Sequence, residues 1–157
     1  MRREISLNIN GTLHTATVPD RMLLVQFIRD VVGLKGTHIG CDTGHCGACT
    51  VIMDGVAVKS CLILAVQADG SNVMTIEGLS KEGKLDEIQE AFRDEFAVQC
   101  GYCTPGFIML LHSLKLRGVG MSDDDIKDAL VGNICRCNGY PLILRAARRI
   151  LGRRQVG

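Results

Sequence analysis

The stretch GCDTGHCGACT, residues 40–50, puts three cysteines and three glycines into eleven residues. Its spacing is Cys41-x4-Cys46-x2-Cys49, and Cys61 follows after eleven further residues. This is the plant-type spacing of [2Fe–2S] ligands, and a chance match that includes a distant fourth cysteine is rare. The chemistry also accounts for the glycines. Two ferric irons, two sulfides and four thiolates sum to about −2, and reduction adds one more negative charge. Such a charge needs hydrogen-bond donors when water is excluded. Gly40, Gly44 and Gly47 let backbone N–H groups approach the sulfurs with no Cβ in the way. The plainer reading of these glycines is turn chemistry.

The other four cysteines are Cys100-x2-Cys103 and, thirty-one residues later, Cys135-x-Cys137. Alone, this set is less specific. A second [2Fe–2S] cluster, a four-cysteine zinc site and a redox dithiol at CGYC all use paired cysteines. Placement favours a cluster, because each pair sits just before an expected helix start, at Thr104-Pro105 and Tyr140-Pro141. Helix N-termini carry free N–H groups and partial positive charge. Disulfides for all eight are the reading for a secreted mini-protein, but the sequence shows no export signal. MRREISLNIN alternates polar and apolar where a signal would carry a continuous apolar block. The Arg2-Arg3 pair is likewise followed by no such block.

Bulk properties agree with a folded protein inside the cell. Of 157 residues, 46% are apolar and 22% charged, with a formal net charge of +1. Two Tyr, four Phe and no Trp leave little for bases to stack on, so nucleic acid is not an expected partner. No apolar run approaches the roughly 20 residues of a membrane span.

Periodicity divides the chain near Gly78–Gly83. Before it, period-2 segments lie at 4–10, 12–18, 50–53, 56–60 and 72–76, with Asn10-Gly11 and Asp54-Gly55 as hairpin turns. A helix is expected from about Pro19-Asp20 through RMLLVQFIRDVV, closed by Gly33. After it, four segments have helical spacing: KLDEIQEAFRDEFAV, TPGFIMLLHSLKLRG with Thr104 as N-cap and Pro105 first in the helix, SDDDIKDALVG with Ser122 and Asp125 as a capping box, and YPLILRAARRILG. The expectation is an α+β chain with domains at 1–78 and 79–157.

GCDTGHCGACTV, KSCL, QCGYCTPGFIM and GNICRCNGY resemble the iron–sulfur subunit of the molybdenum hydroxylases, the xanthine oxidase family. With AVQADG and TIEG, the likeness is nearest to the small subunit of aerobic carbon monoxide dehydrogenase. Relatives acting on heteroaromatic rings, aldehydes and acyl-CoA thioesters share most of these residues. The resemblance implies a β-grasp ferredoxin-like domain followed by a four-helix-bundle domain, each with a [2Fe–2S] cluster. It implies partners as well: a large molybdenum–pterin subunit and a medium FAD subunit, in a dimer of heterotrimers. Electrons would pass from molybdenum through the helical-domain cluster and the ferredoxin cluster to FAD. Gln99 and Cys137 would contact the pterin of the large subunit. This chain would hold no catalytic residue, and its location would be cytoplasmic, including the inner face of the membrane through the complex. Asn138 stands where Thr is common in the motif, and Phe107 where Met is common. The reading from a different class is a free-standing ferredoxin fused to a zinc-stabilised helical binding module.

Other motifs have plainer readings. GLSKEGKL, residues 78–85, has the P-loop glycines and lysine, but Leu85 stands where a magnesium-binding hydroxyl is needed. His45, between two ligands, reads as a loop surface histidine, not a Rieske-type ligand. His14, His38 and His112 read as structural. Arg145, Arg148, Arg149, Arg153 and Arg154 read as a solvated helix face, or more sharply as a dock for an acidic subunit surface. Asp123–Asp125 reads as a helix N-terminus.

Overall fold

The computed structural model describes residues 1–118 and 120–152. Strands β1 (Arg2–Ile9) and β2 (Thr12–Pro19) pair antiparallel, from Ile9↔Thr12 out to Arg2↔Pro19. Asn10 and Gly11 have φ of 52° and 84°, the left-handed pair that a two-residue hairpin needs. Asp54 and Gly55 do the same, at 49° and 84°, between β3 (Thr50–Met53) and β4 (Val56–Lys59). Strand β5 (Asn72–Met74) runs parallel to β1 and antiparallel to β3. The result is one mixed sheet in the order β2-β1-β5-β3-β4.

The first helix is shorter than its spacing suggests. Leu24–Gln26 is α-helical and Phe27–Val31 widens into a π-helix; together they form α1. The start moves from Pro19-Asp20 to Leu24 because the preceding chain is engaged elsewhere. Met22 N–H closes a turn on Pro19 C=O, and Leu23 bridges to Leu64. The widening shows in Val32 N–H bonding to Phe27 C=O, five residues back. Gly33, with φ of 87°, ends the helix as expected.

The second half is helical: α2 (Glu87–Asp94), α3 (Thr104–Leu116), α4 (Asp123–Leu130) and α5 (Tyr140–Leu151). Asp86 caps α2 through Ile88 N–H at 2.9 Å. The helix stops early because Phe96 takes a left-handed φ of 54° and Ala97 N–H folds back to Phe92 C=O. Ser122 and Asp125 form the expected box at α4: each backbone N–H donates to the other's side chain, at 3.0 and 3.2 Å. The N-cap of α3 is Cys103 and not Thr104, which is the first helical residue.

The halves share more than a linker. Neighbouring residues of a strand face opposite sides, and β3 uses both. Val51 joins the core of β1, β5 and α1, whereas Ile52 joins the core of the four later helices. The sheet therefore lies between α1 and α3. Burying a side chain such as Ile52 contributes on the order of 1.5–3 kcal/mol, so this shared strand fixes one half on the other.

Candidate metal centres

The cysteine loop between α1 and β3 has no regular structure, and its position is set by anchors. Arg29, on α1, donates to the carbonyls of Lys35 at 2.8 Å and Thr37 at 2.6 Å. Glu77 accepts from Gly36 N–H at 2.7 Å. Thr50 closes the far end, its Oγ1 donating to Gly47 C=O at 2.7 Å.

All eight cysteines are free thiols, and their sulfurs sort into two sets. In the first, Cys46 N–H donates to Cys41 Sγ at 3.3 Å, and the neighbouring Cys49 and Cys41 both act on the Cys61 thiol. In the second, Cys100 and Cys137 act on each other's thiols, and Cys135 acts on Cys103. The two pairs are also linked by charge repulsion, of Cys100 on Cys103 and of Cys135 on Cys137. Each set is thus two thiol pairs side by side. Two pairs are what a two-iron centre needs, one pair per metal.

The surroundings of the sulfurs fit the same group. Thr43 Oγ1, with the N–H groups of Cys46 and Thr43, holds the Cys41 thiol down at about 5. The two N–H donors lie 3.3 and 3.5 Å from the sulfur. Burial, and then the facing Cys49, push Cys61 up to about 11, against a donated Gly44 N–H. Burial and the facing Cys135 push Cys103 to about 12. A buried pair of thiols cannot ionise together unless a cation stands between them, and ferric iron is such a cation. Gly139 N–H, one residue before α5, reaches Cys135 Sγ at 3.3 Å.

The three loop glycines differ in what they allow. A Cβ on Gly40 would lie 2.8 Å from Cys46 Sγ, so Gly40 makes room for sulfur. Gly44 has φ of 78°, and its N–H faces Cys61. Gly47 serves the seam between the halves, where a Cβ would stand 2.4 Å from Asn133 Oδ1 and 2.7 Å from the Gly132 carbonyl.

That seam contains residues that spacing alone did not single out. Ile134 N–H donates to Cys46 C=O at 2.9 Å, tying the first cysteine loop to the residue before Cys135. Asn133 Nδ2 donates to Gly47 C=O at 3.3 Å. Tyr102, inside CGYC, donates its hydroxyl to Ile39 C=O at 2.8 Å and stacks on His38 with ring centres 4.5 Å apart. His38 Nδ1 meets Tyr102 C=O at 2.7 Å. Gln99 is exposed, and its Nε2 lies 3.8 Å from the Cβ position of Gly139. It directly precedes the exposed Cys100.

The remaining motifs resolve simply. Lys81 and Lys84 bond to each other across a tight turn, with Glu82 and Gly83 at φ of 52° and 75°; no strand-to-helix phosphate loop forms there. His45 is exposed and bonded to Thr43 Oγ1 at 3.1 Å. The arginines of α5 are used within the chain: Arg145 pairs with Glu95, Arg148 with Asp123 and Arg149 with Asp94. They remain about half exposed, as a solvated helix face is, while Arg153 and Arg154 lie outside the described residues. Asn138 has φ of 59°, a conformation Asn tolerates and β-branched Thr resists.

Two family profiles match the chain in tandem. A 2Fe-2S iron–sulfur cluster binding domain covers residues 7–74, and a [2Fe-2S] binding domain covers residues 75–148. Caffeine dehydrogenase subunit gamma of Pseudomonas sp. (strain CBB1) is 43% identical over 149 residues, covering 93% of this chain and 89% of that one. The xanthine dehydrogenase iron–sulfur-binding subunit of Escherichia coli O157:H7 is 46% identical over 142 residues, 89% of each chain. The chain belongs to the small iron–sulfur subunits of the molybdenum hydroxylase family. A chain of quinoline 2-oxidoreductase from Pseudomonas putida 86 superposes with a TM-score of 0.89 at 44% identity, covering 93% of this chain and 90% of that one. As a small subunit of this family, the protein is a non-catalytic electron-transfer component of a multisubunit oxidoreductase. Among the described residues, no helix is long and apolar enough to cross a membrane.

Proposed function

We propose that this subunit relays single electrons between a molybdenum–pterin site on a large partner subunit and FAD on a medium one, in a dimer of heterotrimers. The observation that carries the reading is the sorting of eight sulfurs into two linked sets, one per half, on loops joined by the Ile134–Cys46 hydrogen bond. Cys41, Cys46, Cys49 and Cys61 would hold one [2Fe–2S] cluster, and Cys100, Cys103, Cys135 and Cys137 the other. The domains are 1–78 and 79–157. A bound [2Fe–2S] cluster supplies a one-electron couple.

The chain's own residues hold that couple in place. N–H groups of Thr43, Gly44, Cys46 and Gly139 donate to sulfur and stabilise negative charge there. Gly47, Gly106 and Asn133 pack the two cysteine loops closely against each other. Cys49, Cys61 and Cys135 are buried, while Cys100 is exposed beside Gln99. Gln99 and Cys137 are accordingly the residues to meet the pterin, with the first centre passing electrons on to the flavin. No nucleic acid takes part, and the complex is cytoplasmic.

The substrate class follows the relatives. Caffeine, xanthine and quinoline are nitrogen heterocycles, which favours hydroxylation of such a ring over oxidation of carbon monoxide. The test is EPR of the purified complex after anaerobic addition of caffeine, xanthine, quinoline or carbon monoxide. One of the heterocycles should develop both reduced iron–sulfur signals. Reduction of the flavin with neither signal developing would overturn the relay. Reduction by carbon monoxide alone would overturn the substrate class.

A further inference from the structure

Lys59 ends β4, opposite Thr50 and two residues before Cys61. Its side chain turns into the cysteine loop, where Nζ donates to Gly44 C=O at 2.6 Å in a part-buried setting. Gly44 in turn offers its N–H to Cys61. On the other side, the Cβ position of Gly132 lies 3.9 Å from Nζ, and Gly132 belongs to the loop that leads to Cys135. The ammonium therefore sits in the seam, against the first cysteine loop. Among the described residues, the ion pairs do not include Lys59.

A half-buried ammonium with no carboxylate is unfavourable unless other negative charge lies near it. Here that charge is supplied by the thiolates and the centre they hold, about −2 when oxidised and about −3 when reduced. Resting on the cluster reading above, we propose that Lys59 sets the reduction potential of the centre at Cys41, Cys46, Cys49 and Cys61 by favouring its reduced form. The step is the entry of one electron into that centre, with no proton transfer. A fixed cation stabilises the state with the extra negative charge more than the state without it. The centre at Cys100, Cys103, Cys135 and Cys137 feels the same ammonium less, because Nζ is bonded to the first loop. Lys59 thereby shifts the ferredoxin-half centre toward its reduced form relative to the other.

The test compares Lys59→Met, which keeps length and loses charge, with Lys59→Arg, which keeps charge, each in the assembled complex. EPR-monitored redox titration and iron content are measured for both. In Lys59→Met the equilibrium constant for reducing the ferredoxin-half centre should fall roughly tenfold, which is about 59 mV for a one-electron couple. The other centre should move by much less, and Lys59→Arg should titrate as wild type. An unchanged potential in Lys59→Met with the centre intact would overturn the proposal. So would an equal shift at both centres, or a fall in Lys59→Arg as large as in Lys59→Met. Loss of the centre in Lys59→Met, with Lys59→Arg normal, would reduce Lys59 to a structural clamp and overturn the electrostatic role. A wild-type complex lacking two iron–sulfur signals would instead break the cluster reading itself.

Discussion

Cys135→Ala should remove one centre whole and leave the other. Cys135 is buried at 8% exposure, faces Cys103 and accepts Gly139 N–H. Without it, Cys103 loses the sulfur with which it would share an iron, and three thiolates remain where four are needed. Metal affinity and local folding are coupled at such sites, so a partly liganded centre should empty and not persist. Iron per chain should fall by about half, and one of the two reduced EPR signals should disappear. The ferredoxin-half signal should keep its shape, because its four sulfurs share no partner with Cys135. Loss of both signals in a chain with native circular dichroism would show that the grouping of ligands is wrong.

Gly106→Ala should have the second large effect, through sterics alone. A Cβ there would stand 2.2 Å from the Gly47 carbonyl and 3.0 Å from Ala48 Cα. Both are backbone atoms of the first cysteine loop, so no side chain can swing aside. Overpacking of a fixed contact costs about 1–3 kcal/mol, and this one is at the severe end. For a chain of this size, about 3 kcal/mol corresponds to roughly 6–12 °C in Tm. The visible spectrum of the ferredoxin-half centre should change as well, because Gly47 lies between Cys46 and Cys49. Gly132→Ala is the control from the same seam: its Cβ would meet nothing nearer than Lys59 Nζ at 3.9 Å. It should melt within about 2 °C of wild type, as an unstrained surface change does. Equal melting of the two variants would contradict a tightly packed seam.

The contrast between these glycines shows what could and could not be read from the sequence. The hairpins at Asn10-Gly11 and Asp54-Gly55 were legible because turn chemistry is local. So were the caps at Ser122 and Gly33. The grouping of the eight cysteines into two sets was legible in their spacing, and the structure brings the same sets together. The π-helix at Phe27–Val31 was not, since a five-residue hydrogen bond leaves no periodic mark that differs clearly from an α-helix. The short span of α2 was hidden for a similar reason: FAV continues the apolar pattern while Phe96 turns left-handed. The seam was invisible. Tyr102 on His38, Asn133 on Gly47 and Ile134 on Cys46 join residues 64 to 88 positions apart, and no spacing rule connects them. The α5 arginines were legible as a solvated face, but their ion pairs were not, because Asp94, Glu95 and Asp123 lie on other segments.

The account stands on two diiron centres per chain. Iron, zinc and acid-labile sulfide, quantified together on the purified subunit in its complex, test this most directly. About four iron and four sulfide per chain with no zinc is the expected result. About two iron, two sulfide and one zinc would contradict it, and would make the helical half a structural zinc module in place of an electron carrier.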